Sequence, residues 1–483
     1  MTTYIPPYPP RHTEGLSTMD ILRKGRENLL SVWSARDFEI NTINVKLLKQ
    51  HIVIANSPET VRQAFVTANA SFESKSHLMQ RALKPLIGDG LFISDGETWR
   101  TRRRIVGSVI HGSRVPGFTP LMIEAMVELR DQWTQQLRMA SAKNPPQIDM
   151  LSEMAKLTAE VISRAIFGRQ LGKEHAEDIA EGFSEYQKNI GAFNLLPLLG
   201  LPHALTYLFT RGIRRSAKRI TSVLDALVSG HVQQQGKETS VLGLLSTDTP
   251  DGKTLSRQAI RNEAAVIFMA GHETTANCLA WAWFLLSQAP TCEKHLHQEI
   301  DRVLGGRIPT FADVSQLIYT RAVIEETLRL YPPIPILSRQ ANKNEQLGEH
   351  RVPSGAIVAV IPWLLHRHKL YWENPDHFIP ERFLPDKPLP DKYSYIPFSI
   401  GPRVCAGMSF GLTEAILGLA VFSQTMRFQL VPNTTIQAMS HLSLRPDDGH
   451  GKLPMVMSTR EISASPTPNG PVTSSQTKTC PYA

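Results

Sequence analysis

Cysteine is scarce in this sequence. Only four of the 483 residues are cysteines, and no two of them have the close spacing of a C-x-x-C pair. They are Cys278, Cys292, Cys405 and Cys480. Neither a disulfide framework nor a zinc site is therefore indicated, and a reducing compartment fits this usage best.

Long hydrophobic runs are also missing. Residues 1–11 are polar and proline-rich, without the apolar region of a signal peptide. No run in the chain reaches the roughly 18 apolar residues that would suggest a membrane-spanning helix. A glycine-rich nucleotide fingerprint is absent as well, which argues against a fused flavin or nicotinamide domain.

The charge balance is basic, with 52 Lys and Arg against 44 Asp and Glu and a net charge of +8. Such a balance favours an acidic partner or an anionic membrane surface. No basic run is interleaved with aromatic residues, so nucleic-acid binding is not expected. Hydrophobic residues make up 42% of the chain, enough to build either one large domain or two to three ordinary ones.

The most informative stretch is residues 398–407, which surrounds Cys405 and precedes a long apolar-periodic run over 408–428. A helix start stabilises a thiolate, and Arg403 adds a formal positive charge. Gly401 and Gly407 remove Cβ atoms where a flat ligand would approach the backbone, and Phe398 could limit water. This pattern indicates a cysteine presented as a metal ligand. The alternative is a buried free cysteine near a helix start.

A second stretch lies inside the longest helical pattern, residues 256–288. It reads Ala270-Gly271-His272-Glu273-Thr274-Thr275. Glycine inside a helix costs about 1 kcal/mol relative to alanine, so a ligand in the gap is one explanation. The threonine could bond a free carbonyl or a bound diatomic molecule, and an ionisable glutamate in an apolar helix suggests function. A tolerated glycine beside a capping threonine is the alternative.

Two further pairs of residues carry weaker signals. Glu326 and Arg329 share one helix face, which is usually an exposed ion pair. Trp99 and Arg103 lie at a basic helix start, which is usually a solvated surface.

The stretch around Cys405 resembles the haem-binding loop of the cytochrome P450 superfamily, Phe-x-x-Gly-x-Arg-x-Cys-x-Gly. The resemblance extends over residues 6–460 and implies haem b (iron protoporphyrin IX) as cofactor, with Cys405 as the axial iron ligand. It implies that Thr274 stabilises bound dioxygen and that Glu273 belongs to a proton relay. The other residues implied to bind the cofactor are Trp99, Arg103, Ala270, Gly271, Arg339, Phe398, Gly401, Arg403 and Gly407.

The resemblance also implies a buried charge network of Glu326, Arg329 and Arg382 that supports the haem loop. One departure is visible at residues 366–368, which read His-Arg-His where relatives often have His-Arg-Asp. His368 cannot supply that carboxylate, so the local ion pair should differ.

The fold implied is mainly α with small β-sheets, a single large haem domain over residues 17–460. Residues 1–16 form a proline-rich segment, and residues 461–483 are expected to be disordered. Local patterns predict a helix over 17–33, a hairpin of 38–45 with 50–55, an irregular segment over 74–91, a loop over 239–253 and a hairpin within 351–361. The apolar residues 193–202 are either a packed turn or a lid that touches lipid.

The resemblance implies a monooxygenase that inserts one oxygen atom from O2 into an apolar substrate by hydroxylation or epoxidation. The alternatives are a haem-thiolate isomerase or dehydratase and a non-enzymatic haem-binding sensor. Electrons are expected from a separate ferredoxin- or flavodoxin-type donor docking near Arg100, Arg102 and Arg104. The protein is expected to be a soluble, bacterial, cytoplasmic monomer with at most peripheral membrane contact. Substrate contacts are expected within 76–91, 193–201, 266–274 and 335–337.

Overall fold

The computed structural model describes residues 4–47, 50–141, 144–168, 182, 185–186, 189, 211–233, 240–246 and 255–460. The predicted loop at 193–202 and the C-terminal tail lie outside these ranges. Helices predominate and the sheets are small, which confirms the predicted fold class. Along the described ranges, no helix combines the length and the apolarity needed to cross a bilayer.

The α-helices of the described chain are numbered in order. They are α1 Thr18–Glu27, α2 Pro58–Arg62, α3 His77–Ile87, α4 Gly96–Val109, α5 Val115–Met139, α6 Met150–Phe167, α7 Arg211–Gln233, α8 Val241–Ser246, α9 Arg257–Gln288, α10 Pro290–Leu304, α11 Ile318–Leu330, α12 Pro362–Leu365 and α13 Met408–Ser423.

The strands are short. They are β1 Thr42–Leu47, β2 Gln50–Ala55, β3 Gln147–Asp149, β4 Leu337–Gln340, β5 Glu345–Leu347, β6 His350–Val352, β7 Ile357–Val360, β8 Met426–Leu430, β9 Gln437–Ser440, β10 Leu444–Asp447 and β11 Pro454–Thr459. The largest sheet has the order β1-β2-β7-β4.

Helix α9 crosses the core, as its nearly continuous apolar pattern predicts. Ser256 caps its first turn, with Oγ accepting the Ala259 N–H at 3.2 Å. From residue 275 to residue 286 every side chain of α9 is buried. The helix packs along α6 on one side and against α13 and α11 on others, so it fixes the distance between the helix that follows Cys405 and the rest of the core.

Four local predictions need correction. Residues 74–91 are not irregular, because Ser76 caps α3 and the apolar side chains of that helix pack into the core. The helix expected over 17–33 ends at Glu27, where Asn28 caps a separate 3₁₀ turn. The loop expected over 239–253 contains α8.

The fourth correction concerns the hairpin expected within 351–361. Strand β6 pairs instead with β5, the strand before it. The turn at residues 353–356 then carries the chain into a different sheet, where β7 runs parallel to β2 and antiparallel to β4. All four residues of β7 are buried, so the strand forms the interior of a sheet. The hairpin of β1 and β2 is confirmed, although β1 begins at Thr42.

The N-terminal segment lies on the body of the domain. Tyr4 pairs with Phe378 in an isolated bridge, and Tyr331 Oη donates to the carbonyl of Pro7 at 2.6 Å. Arg11 forms an ion pair with Asp376. The segment is therefore attached to the chain around residues 376–378.

Candidate functional site

The loop before Cys405 is held in one shape by its backbone. Ser399 and Gly401 have φ angles of 61° and 76°, and Cys405 donates its N–H to the carbonyl of Phe398 at 2.8 Å. A Cβ on Gly401 would lie 2.1 Å from the carbonyl oxygen of Phe65. Only glycine fits there, which explains this position of the motif physically.

The thiol of Cys405 has accessible surface and lines an interior cavity of about 310 Å³. Burial in the surrounding protein raises the pKa of the Cys405 thiol, while a hydrogen bond from the Gly407 backbone and the charge of Arg103 lower it. The accessible surface and the burial are compatible because the thiol is open only towards the cavity. A metal ion bound to the sulfur would deprotonate it outright, so the site suits a thiolate ligand to iron.

Cationic side chains gather at one end of this cavity. Arg403 lies 4.4 Å from the centre of the Trp99 ring and donates to Asp95 at 2.8 Å. Arg339 is buried against the ring of Phe65, and burial, with help from the charge of Arg403, lowers its pKa to about 9. Arg103 lines the same cavity.

Lys75 belongs to this cluster although the motifs gave no sign of it. Its side chain is buried, with Nζ 4.8 Å from the centre of the Phe92 ring. Burial, followed by the charges of Arg339 and Arg403, lowers the pKa of Lys75 strongly. Among the described residues, Arg403 Nε also has no hydrogen-bond acceptor. Buried cations that repel one another fit an anionic ligand, as the two propionates of haem would be.

On the other side of the cavity, α9 presents Ala270, Gly271 and Thr274. The Thr274 hydroxyl donates to the carbonyl of Ala270 at 2.6 Å. A Cβ on Gly271 would lie 2.9 Å from Cδ1 of Ile162 on α6. Close packing of α6 is thus one reason for a glycine here, and the expectation that it also opens space for a ligand stays a prediction.

Glu273 points towards the turn between β9 and β10. Its Oε1 accepts a short hydrogen bond from the hydroxyl of Ser443, which also accepts from Asn277 at 3.1 Å. Behind it, Glu414 on α13 is almost fully buried. Burial raises the pKa of Glu414 well above its usual range, against a hydrogen bond from Thr275, which favours the neutral form of this carboxyl. The sequence motifs did not single out Glu414, although an ionisable residue in an apolar helix was a signal that could have found it.

Glu326 and Arg329 are in direct contact, and neither side chain is exposed. Arg329 donates to both carboxylate oxygens at 2.7 Å and to the carbonyls of His366, Pro375 and His377. Arg382 lies 3.4 Å from Glu326. The structure therefore brings the three network residues together, and their pairing is buried at its centre.

The departure at 366–368 has a local replacement. Arg367 lies 3.5 Å from Asp376 and 3.7 Å above the ring of Trp363. His368 faces the carbonyl of Ile40 instead. A carboxylate eight residues after His368 thus supplies the charge.

The docking face expected at residues 100–104 needs correction. Arg102 is buried and contacts Glu263 and Asp89, so it cannot meet a partner. Arg100 is half-exposed and pairs with Glu97 and Glu73.

The rest of the cavity wall is mostly apolar, with a few hydroxyl side chains such as Ser338 and Thr275. It draws on three of the expected segments, through residues such as Leu91, Val266 and Ile336. The fourth, 193–201, lies outside the described residues. Ile162 on α6 and Val241 on α8 also line the cavity, which the sequence did not indicate.

Comparison with known proteins agrees with this geometry. The Cytochrome P450 family model matches residues 6–450. Cyclooctatin synthase from Streptomyces melanosporofaciens is 33% identical over 83% of this chain and 86% of its own. Cyclooctat-9-en-7-ol 5-monooxygenase from the same organism is 28% identical over 87% of this chain and 88% of its own. The crystal structure of the cytochrome P450DA heme domain has a similar fold, with a TM-score of 0.78 and 23% identity over 94% of this chain and 98% of that one.

Proposed function

This chain belongs to the cytochrome P450 family, and from that premise we propose that it oxidises a neutral, polycyclic terpenoid. It is a monooxygenase with haem b as cofactor. The haem, when bound, activates dioxygen so that one oxygen atom enters the substrate and the other is reduced to water.

Cys405 would hold the iron through Sγ, because its thiol is directed into the cavity. The propionates would be held at the cationic end of the cavity. The residues that would hold them are Trp99 and the cations Lys75, Arg103, Arg339 and Arg403. The support for this assignment is the buried, mutually repelling charge of Lys75, Arg339 and Arg403.

Protons would pass through the hydroxyl and carboxylate of α9. The Thr274 hydroxyl, which donates to Ala270, can rotate to donate into the cavity. Glu273, held by Ser443, would exchange protons with the exterior. Both groups lie on the cavity wall, where water is limited and proton delivery has to be supplied by side chains.

The observation that carries the substrate class is the distribution of charge in the cavity. The charged residues among the described lining of the cavity are Lys75, Arg103, Glu273, Arg339 and Arg403. The four cations would bind the cofactor, and Glu273 would serve the proton path. The remaining wall is uncharged and mostly apolar, with side chains from α3, α6, α8, α9 and β4 among others, which suits a substrate without charge. The names of the two Streptomyces relatives add that one is a cyclooctatin synthase and the other a monooxygenase of cyclooctat-9-en-7-ol, an alcohol without charge.

Electrons would come from a separate ferredoxin- or flavodoxin-type protein with an acidic face. The 3₁₀ turn Gly112–Arg114 lies against the start of α13, since a Cβ on Gly112 would be 3.0 Å from the Ser409 hydroxyl. Arg114 is exposed on this turn, close to the cysteine loop, and Arg104 is exposed on α4. Opposite charges there would speed the encounter. A cytoplasmic location and a monomeric state stay predictions of the sequence.

Two spectra and one labelling experiment test the proposal. The reduced, carbon monoxide-bound protein should have the red-shifted Soret band of a thiolate-ligated haem. A polycyclic diterpene alcohol should shift the Soret band of the oxidised protein, whereas a fatty acid of equal carbon number should not. With ferredoxin and its reductase, product formed under ¹⁸O₂ should carry one label. Unlabelled product would indicate the isomerase, and no product with any terpenoid would contradict the substrate class.

A further inference from the structure

Glu263 is a fully buried carboxylate that the chemistry above does not use. It lies in the second turn of α9, and its side chain has no exposed surface. Its two oxygens accept the backbone N–H of Leu91 at 3.0 and 3.2 Å. Arg102 on α4 donates to the same carboxylate at 3.1 Å. The carboxylate therefore joins α9 and α4 to the connection between α3 and α4.

This connection, residues 88–95, fits closely onto α9. Gly88 has a φ of 57°, and a Cβ there would lie 2.3 Å from Nδ2 of Asn262. A Cβ on Gly90 would lie 2.5 Å from Cγ2 of Val266. Asn262 also donates to Asp89 at 2.7 Å. The backbone at Gly88 and Gly90 thus rests on α9 with no room for a side chain, and Glu263 holds the next residue, Leu91.

The residues that follow this anchor form part of the cavity wall. Leu91 and Phe92 line the cavity, as does Val266 one turn after Glu263. The Leu91 amide is thus fixed while its side chain is directed to the space that a substrate would occupy. A loop connection of this kind is otherwise among the most mobile parts of a domain.

We propose that Glu263 is a positioning residue that sets the shape of the Leu91–Phe92 wall and thereby the orientation of the substrate. The part that concerns substrate rests on the proposed function. The anchoring of the wall rests only on the contacts described above. The decisive feature is the reach of the carboxylate to the Leu91 amide, and its charge beside Arg102 is secondary.

Two substitutions separate reach from charge. Glu263→Gln keeps an oxygen within reach of the Leu91 amide but removes the charge. Glu263→Asp keeps the charge but withdraws both oxygens by the length of one methylene group. Glu97→Asp is the matched control, because Glu97 is exposed and pairs only at the surface with Arg100.

The first measurement is hydrogen exchange of the Leu91 amide in the haem-loaded full chain. We expect exchange in Glu263→Asp to be about tenfold faster than in the unchanged protein, with most of the protection restored in Glu263→Gln and no change in the control. The second measurement is affinity for 4-phenylimidazole, which should fall about threefold or more in Glu263→Asp only. The carbon monoxide band should stay in place in every variant.

The reverse result would be a Leu91 amide that is protected from exchange in Glu263→Asp but exchanges rapidly in Glu263→Gln. It would show that Glu263 only balances the charge of Arg102 and would overturn the proposal. Unchanged exchange in both variants would overturn it as well. Should Glu263→Asp lose its haem, the Leu91 amide in Glu263→Gln still decides, since rapid exchange there contradicts the anchoring. Neither measurement uses a terpenoid, so failure of the proposed substrate leaves this test intact.

Discussion

Replacing Arg329 by methionine should prevent formation of a stable haem protein. Methionine keeps most of the aliphatic volume, so the change isolates the guanidinium. That group makes two bonds of 2.7 Å to Glu326 and three to backbone carbonyls of the segment 366–377. All five are lost in Arg329→Met, and Glu326 keeps the Ile379 N–H and the longer contact with Arg382.

The cost follows from burial. Removing one partner of a buried ion pair costs about 3–5 kcal/mol, because the other charge stays buried. Each buried carbonyl left without a donor adds about 1 kcal/mol or more. The total of roughly 6 kcal/mol or more is comparable with the whole stability of a typical protein, about 5–15 kcal/mol.

Arg382→Met is the matched comparison. Arg382 is partly exposed and lies 3.4 Å from Glu326, so its loss should cost only about 1–2 kcal/mol. The assay is the ratio of Soret to protein absorbance after purification, followed by thermal unfolding. We expect little haem in Arg329→Met and nearly full haem, with a melting temperature lowered by a few degrees, in Arg382→Met. Full haem and an unchanged melting temperature in Arg329→Met would refute the reasoning.

Three other substitutions have defined outcomes. Thr274→Ala should lower the share of electrons that reaches product about tenfold, with hydrogen peroxide rising, because a hydroxyl proton donor is lost; Thr274→Ser should restore coupling, and unchanged coupling in alanine would contradict the role. Glu414→Gln should bind haem as fully as the unchanged protein, because burial raises the pKa of Glu414 and favours the neutral carboxyl, which glutamine resembles; loss of haem in Glu414→Gln would contradict this. Burial also raises the pKa of Glu263 from 4.5 to about 7, against the lowering effects of Leu91 and Arg102. The folded state therefore binds a proton more tightly than the unfolded state. The contribution of Glu263 to the free energy of unfolding then falls as pH rises from 5 to 8. In urea unfolding, the free energy of unfolding of Glu263→Gln relative to the unchanged protein should therefore rise by up to about 3 kcal/mol over that range. A difference between the two proteins that does not vary with pH would contradict the raised pKa.

The sequence predicted best where chemistry depends on a short run of residues. The loop around Cys405 contains its own turn glycine and its own helix start, so residues 398–407 were sufficient to indicate the family. Glu326 and Arg329 are three residues apart, and their contact is set by the helix itself. Both features are local, and no knowledge of distant contacts was required.

Features that depend on distant partners were not predictable. The alternating pattern of β7 was compatible with pairing to β6, but its neighbours are β2 and β4, one of them some 300 residues earlier. Nothing in the sequence distinguished Lys75 from a surface lysine, because Arg339 and Arg403, which lie beside it in the fold, are distant along the chain. For Gly271 the sequence could suggest a ligand but could not show Ile162 of α6, which lies opposite it.

The docked N-terminal segment has a consequence for how the protein is made. Pro7 and Arg11 leave the ribosome well before their partners, since Tyr331 and Asp376 follow 324 and 365 residues later. At roughly 5–20 residues per second, the segment waits tens of seconds with its binding surface still unsynthesised. Its attachment must then wait for these partners, so a nascent chain is expected to remain open to proteolysis near residues 4–11 until residues 331–378 have been synthesised.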